Sequence, residues 1–312
     1  LSVLRAGDRR DIGLLCLLDN VPRPPSADRD AFAQALAAQA AVALENARLG
    51  EELQRAYVRE KHIATTFQLS MLPPIPERVG VFEFAKEYKA ALEESMLGGD
   101  FYDLFSLGGD LWGIVMADVS GKGLKAAVQT AMVKYMLRGF ANETPLSPGD
   151  VLARVNTILS REATQFEGFV TLFFGVLNTQ TGDLVFANAG HEPPLWRDGA
   201  TRAVSLLEID SGLPLGCLPD MTYETESRQF APGDLMLLYT DGLSEARGDD
   251  DQMLGGDGLR RALPTHADSA QGEIEAFYAQ VKQFAGNQLR DDAAMLLLRR
   301  QSAAPAPPSL AS

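Results

Sequence analysis

The pattern of apolar and polar residues predicts one long helix in the first quarter of the chain. Residues 28–72 are rich in Ala, Leu, Glu, Gln and Arg, with no proline and a single glycine. Alternate steps of three and four residues from Phe32 to Phe67 visit eleven positions, eight of which are apolar. Such spacing is typical of a helix with one apolar face, about 54 Å long at 1.5 Å per residue. A group of prolines that begins at Pro73 ends the helix.

Two interpretations of this helix stay open at the level of sequence. In the first, two copies of the chain form a coiled coil, and Asn46 on the apolar face favours one register. In the second, the helix packs against its own domain. The first interpretation predicts a homodimer, with residues 51–79 as a helical linker that transmits a signal.

The pattern changes after residue 80 to short apolar runs separated by turns, with helices inserted between them. Strands joined by tight turns, such as the turn at 178–182, indicate antiparallel hairpins. We therefore expect an α+β fold in which sheet packs on sheet with helices outside. Strands are predicted at 82–88, 110–119, 168–177, 183–189, 222–230, 235–239 and 293–298, and helices at 124–140, 148–162 and 272–286.

Composition narrows the possible functions. The 312 residues include 42 acidic and 28 basic side chains, a formal net charge of −14, which argues against binding to nucleic acid phosphates. No apolar run approaches the roughly 18–20 residues that span a bilayer, and charges within the first ten residues argue against a signal peptide. Two cysteines and three histidines leave little room for a zinc site. We expect a cytoplasmic protein whose metals, if any, are bound by oxygen.

Four aspartates are the candidate chemical groups. Each lies in a short motif at, or just past, the end of a predicted apolar strand: Asp100, Asp118, Asp241 and Asp291. Glycine directly neighbours Asp100 and Asp241, and Gly121 follows Asp118 by three residues. Crowded carboxylates repel one another unless protons or cations neutralise them. Two divalent cations would balance four ionised aspartates, and oxygen ligands select Mg²⁺ or Mn²⁺. Two such ions turn a water molecule into a nucleophile and clamp a phosphoryl group. A single Asp-Gly pair is more often a solvated turn.

An ordered series of motifs runs over residues 98–300, about two thirds of the chain. The motifs are Gly-Gly-Asp-Phe-Tyr-Asp at 98–103, Asp-Val-Ser-Gly-Lys-Gly at 118–123, Asn-Ala-Gly-His at 188–191, Leu-Gly at 215–216, Tyr-Thr-Asp-Gly at 239–242 and Asp-Asp at 291–292. This series resembles the SpoIIE-like branch of the PPM-type metal-dependent serine/threonine protein phosphatases. The resemblance implies a four-layer α-β-β-α sandwich with two metal ions at one edge of the paired sheets.

The same resemblance implies a role for each site residue. Asp118 would bridge both metals, and the backbone carbonyl of Val119 would bind one of them. Asp100 would hold the second metal, while Asp241 and Asp291 would complete the first. Eukaryotic relatives carry a histidine where this chain has Ser120, so the resemblance names no general acid. The expected residues around the ligands are Asp103, Asp292, Ser120 and His191.

The resemblance also implies an organisation and a substrate. Residues 1–50 are similar to the C-terminal fragment of a GAF sensor domain, 51–79 to a linker that switches the enzyme, and 80–300 to the phosphatase domain. Residues 301–312 are rich in Ala, Pro and Ser and are predicted to be disordered. The implied substrate is a phosphorylated anti-anti-sigma (STAS) protein in a partner-switching pathway of sigma-factor regulation.

Two other functions compete with this hypothesis. The chain would be a catalytically idle sensor or scaffold if its phosphatase-like domain acted only by dimerising and binding partners, but all four aspartates are present. The segment Gly-Gly-Asp-Phe at 98–101 also suggests a nucleotide cyclase. It lacks the acidic residue that a diguanylate cyclase has after its aspartate, and it leaves the later motifs unexplained.

Overall fold

The computed structural model divides into two compact units, Leu1–His62 and Ile63–Ser312. It describes residues 2–5, 11–16, 26–71, 73–89, 99–143, 147–161 and 168–301. The tail at 301–312 is predicted to be disordered, and its residues after 301 lie outside the described ranges. None of the described helices is long and apolar enough to cross a membrane.

The first unit contains a hairpin and most of the long helix. Strand β1 (Ser2–Arg5) pairs antiparallel with β2 (Asp11–Leu15), and helix α1 (Ala27–Met71) follows. The predicted long helix is confirmed, at 45 residues. Its small residues Ala37 and Ala41 are buried. The interpretation of 1–50 as a GAF fragment falls partly outside the described residues and stays a prediction.

The second unit consists of twelve strands and five helices in the described ranges. The strands are β3 (Arg78–Val79), β4 (Phe82–Lys89), β5 (Phe101–Gly108), β6 (Leu111–Val119), β7 (Val170–Asn178), β8 (Asp183–Ala189), β9 (Leu195–Arg197), β10 (Val204–Leu206), β11 (Ser211–Gly212), β12 (Glu226–Gln229), β13 (Leu235–Tyr239) and β14 (Ala293–Arg300). The helices are α2 (Leu124–Ala141), α3 (Pro148–Arg161), α4 (Asp241–Ser244), α5 (Gly255–Ala262) and α6 (Ala270–Phe284).

These strands form two six-stranded sheets. The first sheet has the order β10-β9-β13-β14-β4-β3. The second has the order β11-β8-β7-β6-β5, with β12 pairing β8 beside β11. Neighbouring strands are antiparallel except for β11 and β8. Hairpin connections therefore dominate, as the sequence predicted.

Three apolar layers hold the sheets and helices together. The middle layer joins side chains of both sheets, such as Phe82 and Trp196 from the first and Phe173 and Phe186 from the second. The other face of the second sheet packs against α2 and α3, and that of the first sheet packs against α5 and α6. This arrangement confirms the α+β fold and the four-layer α-β-β-α sandwich.

Several local predictions differ from the structure. The single strand predicted at 110–119 is the second half of a hairpin, because β5 precedes it and pairs with β6 from Phe101 to Gly108. The first five residues of β5 are all buried, so they lack the alternation that signals a half-buried strand. Helix α6 begins two residues before its predicted start, since the Ser269 side chain caps it by accepting a hydrogen bond from the Gly272 amide at 3.0 Å.

Candidate metal centre

The four candidate aspartates meet at one edge of the two sheets. Asp118 is the penultimate residue of β6, and Asp241 lies two residues after the end of β13. The expectation that all four lie at or past strand ends is wrong for Asp100 and Asp291, which precede β5 and β14. The four aspartates still lie close together, because in an antiparallel pair the start of one strand lies beside the end of its neighbour.

A cavity of about 110 Å³ lies between these side chains. All four carboxylates and Val119 line it, together with Ser120 and the glycine-flanked Lys122. A second cavity of about 150 Å³ shares Asp118 and Asp241 and is lined further by His191, Glu192 and Glu245. The structure thus brings together every residue that the sequence predicted as a metal ligand.

The electrostatics of the cavity favour a cation. Burial, followed by the negative charge of Asp118, raises the pKa of Asp100 well above its usual value. Burial also raises the pKa of Asp118, against an opposing hydrogen bond with Asp100. Burial and repulsion from Asp118 raise the pKa of Asp241 to about 6. Hard carboxylate and carbonyl oxygens under this repulsion are suitable ligands for Mg²⁺ or Mn²⁺.

The cavity fits metal ions because its carboxylate and carbonyl oxygens are suitable ligands and because all of these groups line the same cavity. Over the ranges that the structure describes, no group of three or more His, Cys, Asp or Glu side chains is arranged so that it could hold a metal ion as it stands. One carboxylate has another partner, since the Lys122 ammonium lies 3.2 Å from Asp291. Both groups are about half exposed, so this ion pair is weak and exchanges readily for another cation.

Two glycines hold the backbone close to the cavity. A Cβ on Gly99 would lie 1.9 Å from the carbonyl oxygen of Val119, and a Cβ on Gly242 would lie 1.9 Å from that of Asp292. Only a residue without a side chain allows such approaches. Each glycine is the immediate neighbour of an aspartate, so each contact fixes the position of one candidate ligand relative to another strand.

Thr240 connects the two sheets at the same edge. Its hydroxyl donates a hydrogen bond to Asp100 at 2.6 Å and accepts one from the Ala294 amide at 3.0 Å. Thr240 is completely buried. The Tyr-Thr-Asp-Gly motif by itself predicts no role for this threonine. Its position directly before a candidate ligand was the available signal.

The residues expected around the ligands occupy different places. The Ser120 hydroxyl accepts a hydrogen bond from the Phe169 amide at 2.8 Å, beside the cavity. Asp292 accepts one from the Tyr88 hydroxyl at 3.0 Å, a contact that the sequence did not suggest. Asp103 does not line the cavity: Arg138 holds it through two hydrogen bonds of 2.6 and 2.7 Å.

His191 is a buried connector of three segments. Its Nδ1 lies 2.9 Å from the Thr171 hydroxyl, and its carbonyl accepts a hydrogen bond from the Asn188 side chain at 2.9 Å. Burial lowers the pKa of the imidazole to about 4, against a smaller opposing effect of the Tyr239 backbone. The ring is therefore neutral at pH 7.

Comparison with known proteins identifies relatives for most of the second unit. Residues 108–301 match the family model described as Stage II sporulation protein E. The phosphoserine phosphatase RsbU of Bacillus subtilis is 30% identical over 206 residues, which cover 66% of this chain and 60% of RsbU. Protein IcfG of Synechocystis is 31% identical over 207 residues, which cover 57% of this chain and 32% of IcfG. The chain thus spans between about a third and three fifths of the length of these two relatives.

Solved structures share the fold. The RsbU and RsbW domains of a Mycobacterium tuberculosis protein superpose with a TM-score of 0.58 at 25% identity, covering 73% of this chain and 62% of that one. The PP2C phosphatase domain of Bacillus subtilis SpoIIE was solved with a fragment of its regulatory domain. It superposes with a TM-score of 0.59 at 20% identity, covering 71% of this chain and 64% of that one.

The close approach of Gly99 to Val119 predicts that a methyl group added at residue 99 disturbs metal binding. Gly99→Ala should weaken Mn²⁺ binding at least tenfold, because the backbone must move apart beside Asp100. Calorimetric titration with Mn²⁺ measures the affinity. Gly139→Ala in α2, where an added Cβ meets nothing within 4 Å, is the matched control and should leave binding unchanged. Equal affinity of the two variants would contradict the structural role of Gly99.

The family match and the fold comparisons concern the same part of the molecule. The matched residues begin at the end of β5 and run through β14. They contain three of the four aspartates at the cavity, Asp118, Asp241 and Asp291. The chain belongs to the SpoIIE family of PP2C-type phosphatase domains.

Proposed function

We propose that the chain is a metal-dependent protein serine/threonine phosphatase with two Mg²⁺ or Mn²⁺ ions at the cavity. The observation that carries this proposal is the convergence of four aspartates and the Val119 backbone on one cavity in a domain of this family. The relatives RsbU and RsbP are phosphoserine phosphatases by name. The chain spans only part of each, so activity and substrate are proposals for this chain.

The proposed ligands divide between two ions. Asp118 would contribute to holding both ions, the Val119 carbonyl would help to hold one of them, Asp100 would hold the second, and Asp241 and Asp291 would complete the first. Bound divalent cations supply Lewis-acid chemistry, activating water at neutral pH and offsetting charge on a phosphoryl group. The chain itself fixes the ligand positions through Thr240 and the two glycine contacts.

Lys122 is the proposed group that attracts the substrate phosphate. Its ammonium already lies at the cavity, 3.2 Å from Asp291, and it is half exposed. Gly121 and Gly123 on either side adopt positive φ angles of 109° and 81°, which shape the loop before α2. A cation bound by Asp291 would free the ammonium to face a phosphate anion, which also benefits from the N-terminal amides of α2.

No side chain at the cavity is assigned as general acid. His191 is neutral, buried and bonded to Thr171, so we propose that it positions β7 and the turn after β8 rather than transferring a proton. Ser120 is bonded to the Phe169 amide. Protonation of the leaving serine oxygen is therefore left to solvent water within the site.

The proposed substrate is a phosphorylated STAS protein of the anti-anti-sigma type, as the resemblance implies. Its phosphoserine would enter the cavity beside Lys122. A phosphorylated STAS domain and a short phosphoserine peptide, compared at equal concentration, test this point. A higher kcat/KM for the domain supports recognition of the folded partner, and equal values would contradict it.

Removing the bridging carboxylate tests the phosphatase directly. Asp118→Asn should reduce Mn²⁺-dependent hydrolysis of a phosphoserine peptide by roughly a hundredfold or more, because changes even around a metal site typically cost 10- to 100-fold. Asp183→Asn, at the exposed first residue of β8 in the same domain, is the matched control. Calorimetry should show the loss of Mn²⁺ binding in parallel.

Each other outcome of this experiment has a distinct meaning. Undiminished turnover by Asp118→Asn would overturn the ligand assignment. Mn²⁺ binding without turnover in the unaltered chain would indicate an enzyme held inactive by its linker or by an absent partner. Neither binding nor turnover would favour the idle sensor or scaffold.

The raised pKa of Asp241 predicts a pH-dependent stability. Its value of about 6 in the folded state exceeds the ordinary 3.8, so the folded state binds more protons between these values and loses stability as pH rises through them. At pH 7.5 in EDTA, Asp241→Asn should therefore stabilise the chain by roughly 1–2 kcal/mol, with solvent screening allowed for.

Urea unfolding at two pH values checks this prediction. The gain should vanish near pH 3.5, where the carboxyl is protonated whether folded or unfolded. Mn²⁺ affinity of the unaltered chain should fall below about pH 6, because protons compete for the same oxygen atoms. A variant that is less stable than the unaltered chain at pH 7.5 would contradict the proposed repulsion.

The long helix is the proposed dimer contact. Its apolar positions include Leu49 and Leu53, whose exposed fractions are 52% and 73%. These positions continue the spacing predicted for a coiled coil, and a partner helix would bury them.

Sedimentation velocity tests the dimer. The unaltered chain should sediment as a dimer, and Leu49→Glu combined with Leu53→Glu should yield a monomer because charges in the seam cannot be buried. Val58→Glu, on the opposite side of the helix, is the control and should leave the dimer intact. If the unaltered chain is strictly monomeric, the coiled-coil proposal is contradicted.

A further inference from the structure

A cavity of the second unit lies away from the metal centre. It measures about 330 Å³ and opens at the other end of the first sheet. Arg299 lines it, six residues along β14 from Ala293, which corresponds to roughly 20 Å of strand. Its charged lining residues are Glu83, Arg202, His266, Glu273, Arg299 and Arg300.

One wall of this cavity is held rigidly by paired charges. Arg299 donates a hydrogen bond from Nε to Glu83 at 3.0 Å and another from Nη1 to the Ala267 carbonyl at 3.1 Å. The Gln301 side chain donates to Glu83 at 3.0 Å. These contacts satisfy Glu83, so the wall is preformed and keeps its shape when a ligand enters.

A second set of polar groups among the lining residues has unused hydrogen-bonding capacity. Glu273 is 1% exposed, and its Oε1 accepts a hydrogen bond from Arg197 at 2.6 Å, but its Oε2 has no hydrogen-bond partner. A buried acceptor without a partner is costly. In the described part of the chain, no hydrogen bond or ion pair engages the Arg202 guanidinium or the His266 ring.

The charges and the lining define what the cavity can hold. Three arginines face two glutamates, so the cavity carries positive charge in a chain whose net charge is −14. Ala267 is the one apolar side chain among the lining residues, which excludes an apolar ligand. A volume near 330 Å³ is at the small end of ligand sites and accommodates a molecule of about the size of one sugar.

We propose that this cavity binds a small hydroxylated organic oxyanion. The oxyanion, a carboxylate or a phosphate, pairs with Arg202 and His266, because a guanidinium binds either group with two parallel hydrogen bonds. A hydroxyl group of the same molecule donates to Oε2 of Glu273. The site is separate from the metal centre, and the proposal is independent of phosphatase activity.

Isothermal titration of the full chain in EDTA tests the proposal with four probes. D-Gluconate and D-glucose 6-phosphate carry both required groups and distinguish carboxylate from phosphate recognition. Glucose lacks the oxyanion, and acetate lacks the hydroxyls. We expect one-to-one binding of gluconate or glucose 6-phosphate, with glucose and acetate at least tenfold weaker.

Charge reversal at the mouth of the cavity assigns the binding to this site. Arg202→Glu should weaken the binding at least tenfold, because it replaces the counter-ion with a repelling charge. Arg261→Glu makes the same change on an exposed arginine of α5 outside the cavity and should have no effect. Circular dichroism shows whether both variants are folded.

Three results would overturn the proposal. The first is the absence of binding for both hydroxylated anions at millimolar concentration. The second is equal binding by the Arg202→Glu and Arg261→Glu variants, which would place the ligand elsewhere. The third is acetate binding as tightly as gluconate, which would show a general anion site without recognition of hydroxyls.

Discussion

The hydroxyl of Thr240 is the contact through which the two sheets share one site. It donates to Asp100, which leads into the second sheet, and accepts from the Ala294 amide in the first sheet. The apolar layer between the sheets fixes their spacing but permits small sliding, because packing forces are not directional. A short hydrogen bond to a buried carboxylate is directional. The position of Asp100 relative to the ligands on the first sheet therefore depends on a side chain that is not itself a ligand.

The cavity concentrates charge that the fold alone does not neutralise. Burial and mutual repulsion raise the pKa of three aspartates, whereas Asp103, a few residues along β5, is fully paired with Arg138. Buried aspartates therefore have two different roles in this domain. A buried aspartate with a guanidinium beside it strengthens the packing of α2 on the sheet. A buried aspartate beside other carboxylates is held ready for a cation, at a cost in stability.

The sequence predicted the long helix from its repeating apolar spacing and the packed antiparallel sheets from the hairpin turns. The four-layer arrangement and the ligand roles of the four aspartates followed from an ordered set of motifs that resembles a known family. The sequence did not predict β5 as a strand, because that segment is buried on both faces. It also missed contacts between distant segments, such as Thr240 with Asp100 and Arg197 with Glu273, which lie 140 and 76 residues apart. Only tertiary packing decides which polar side chains meet over such separations.

The first sheet ends in very short strands on both sides. Its outer members are β3, with two residues, and β10, with three. An edge strand exposes unpaired backbone groups on which further strands can grow, and this growth is how sheet proteins aggregate. Edges of two and three residues offer too little template for such growth. The domain can thus carry strands as uniformly apolar as β13 and β14 at its centre and still resist aggregation through this sheet.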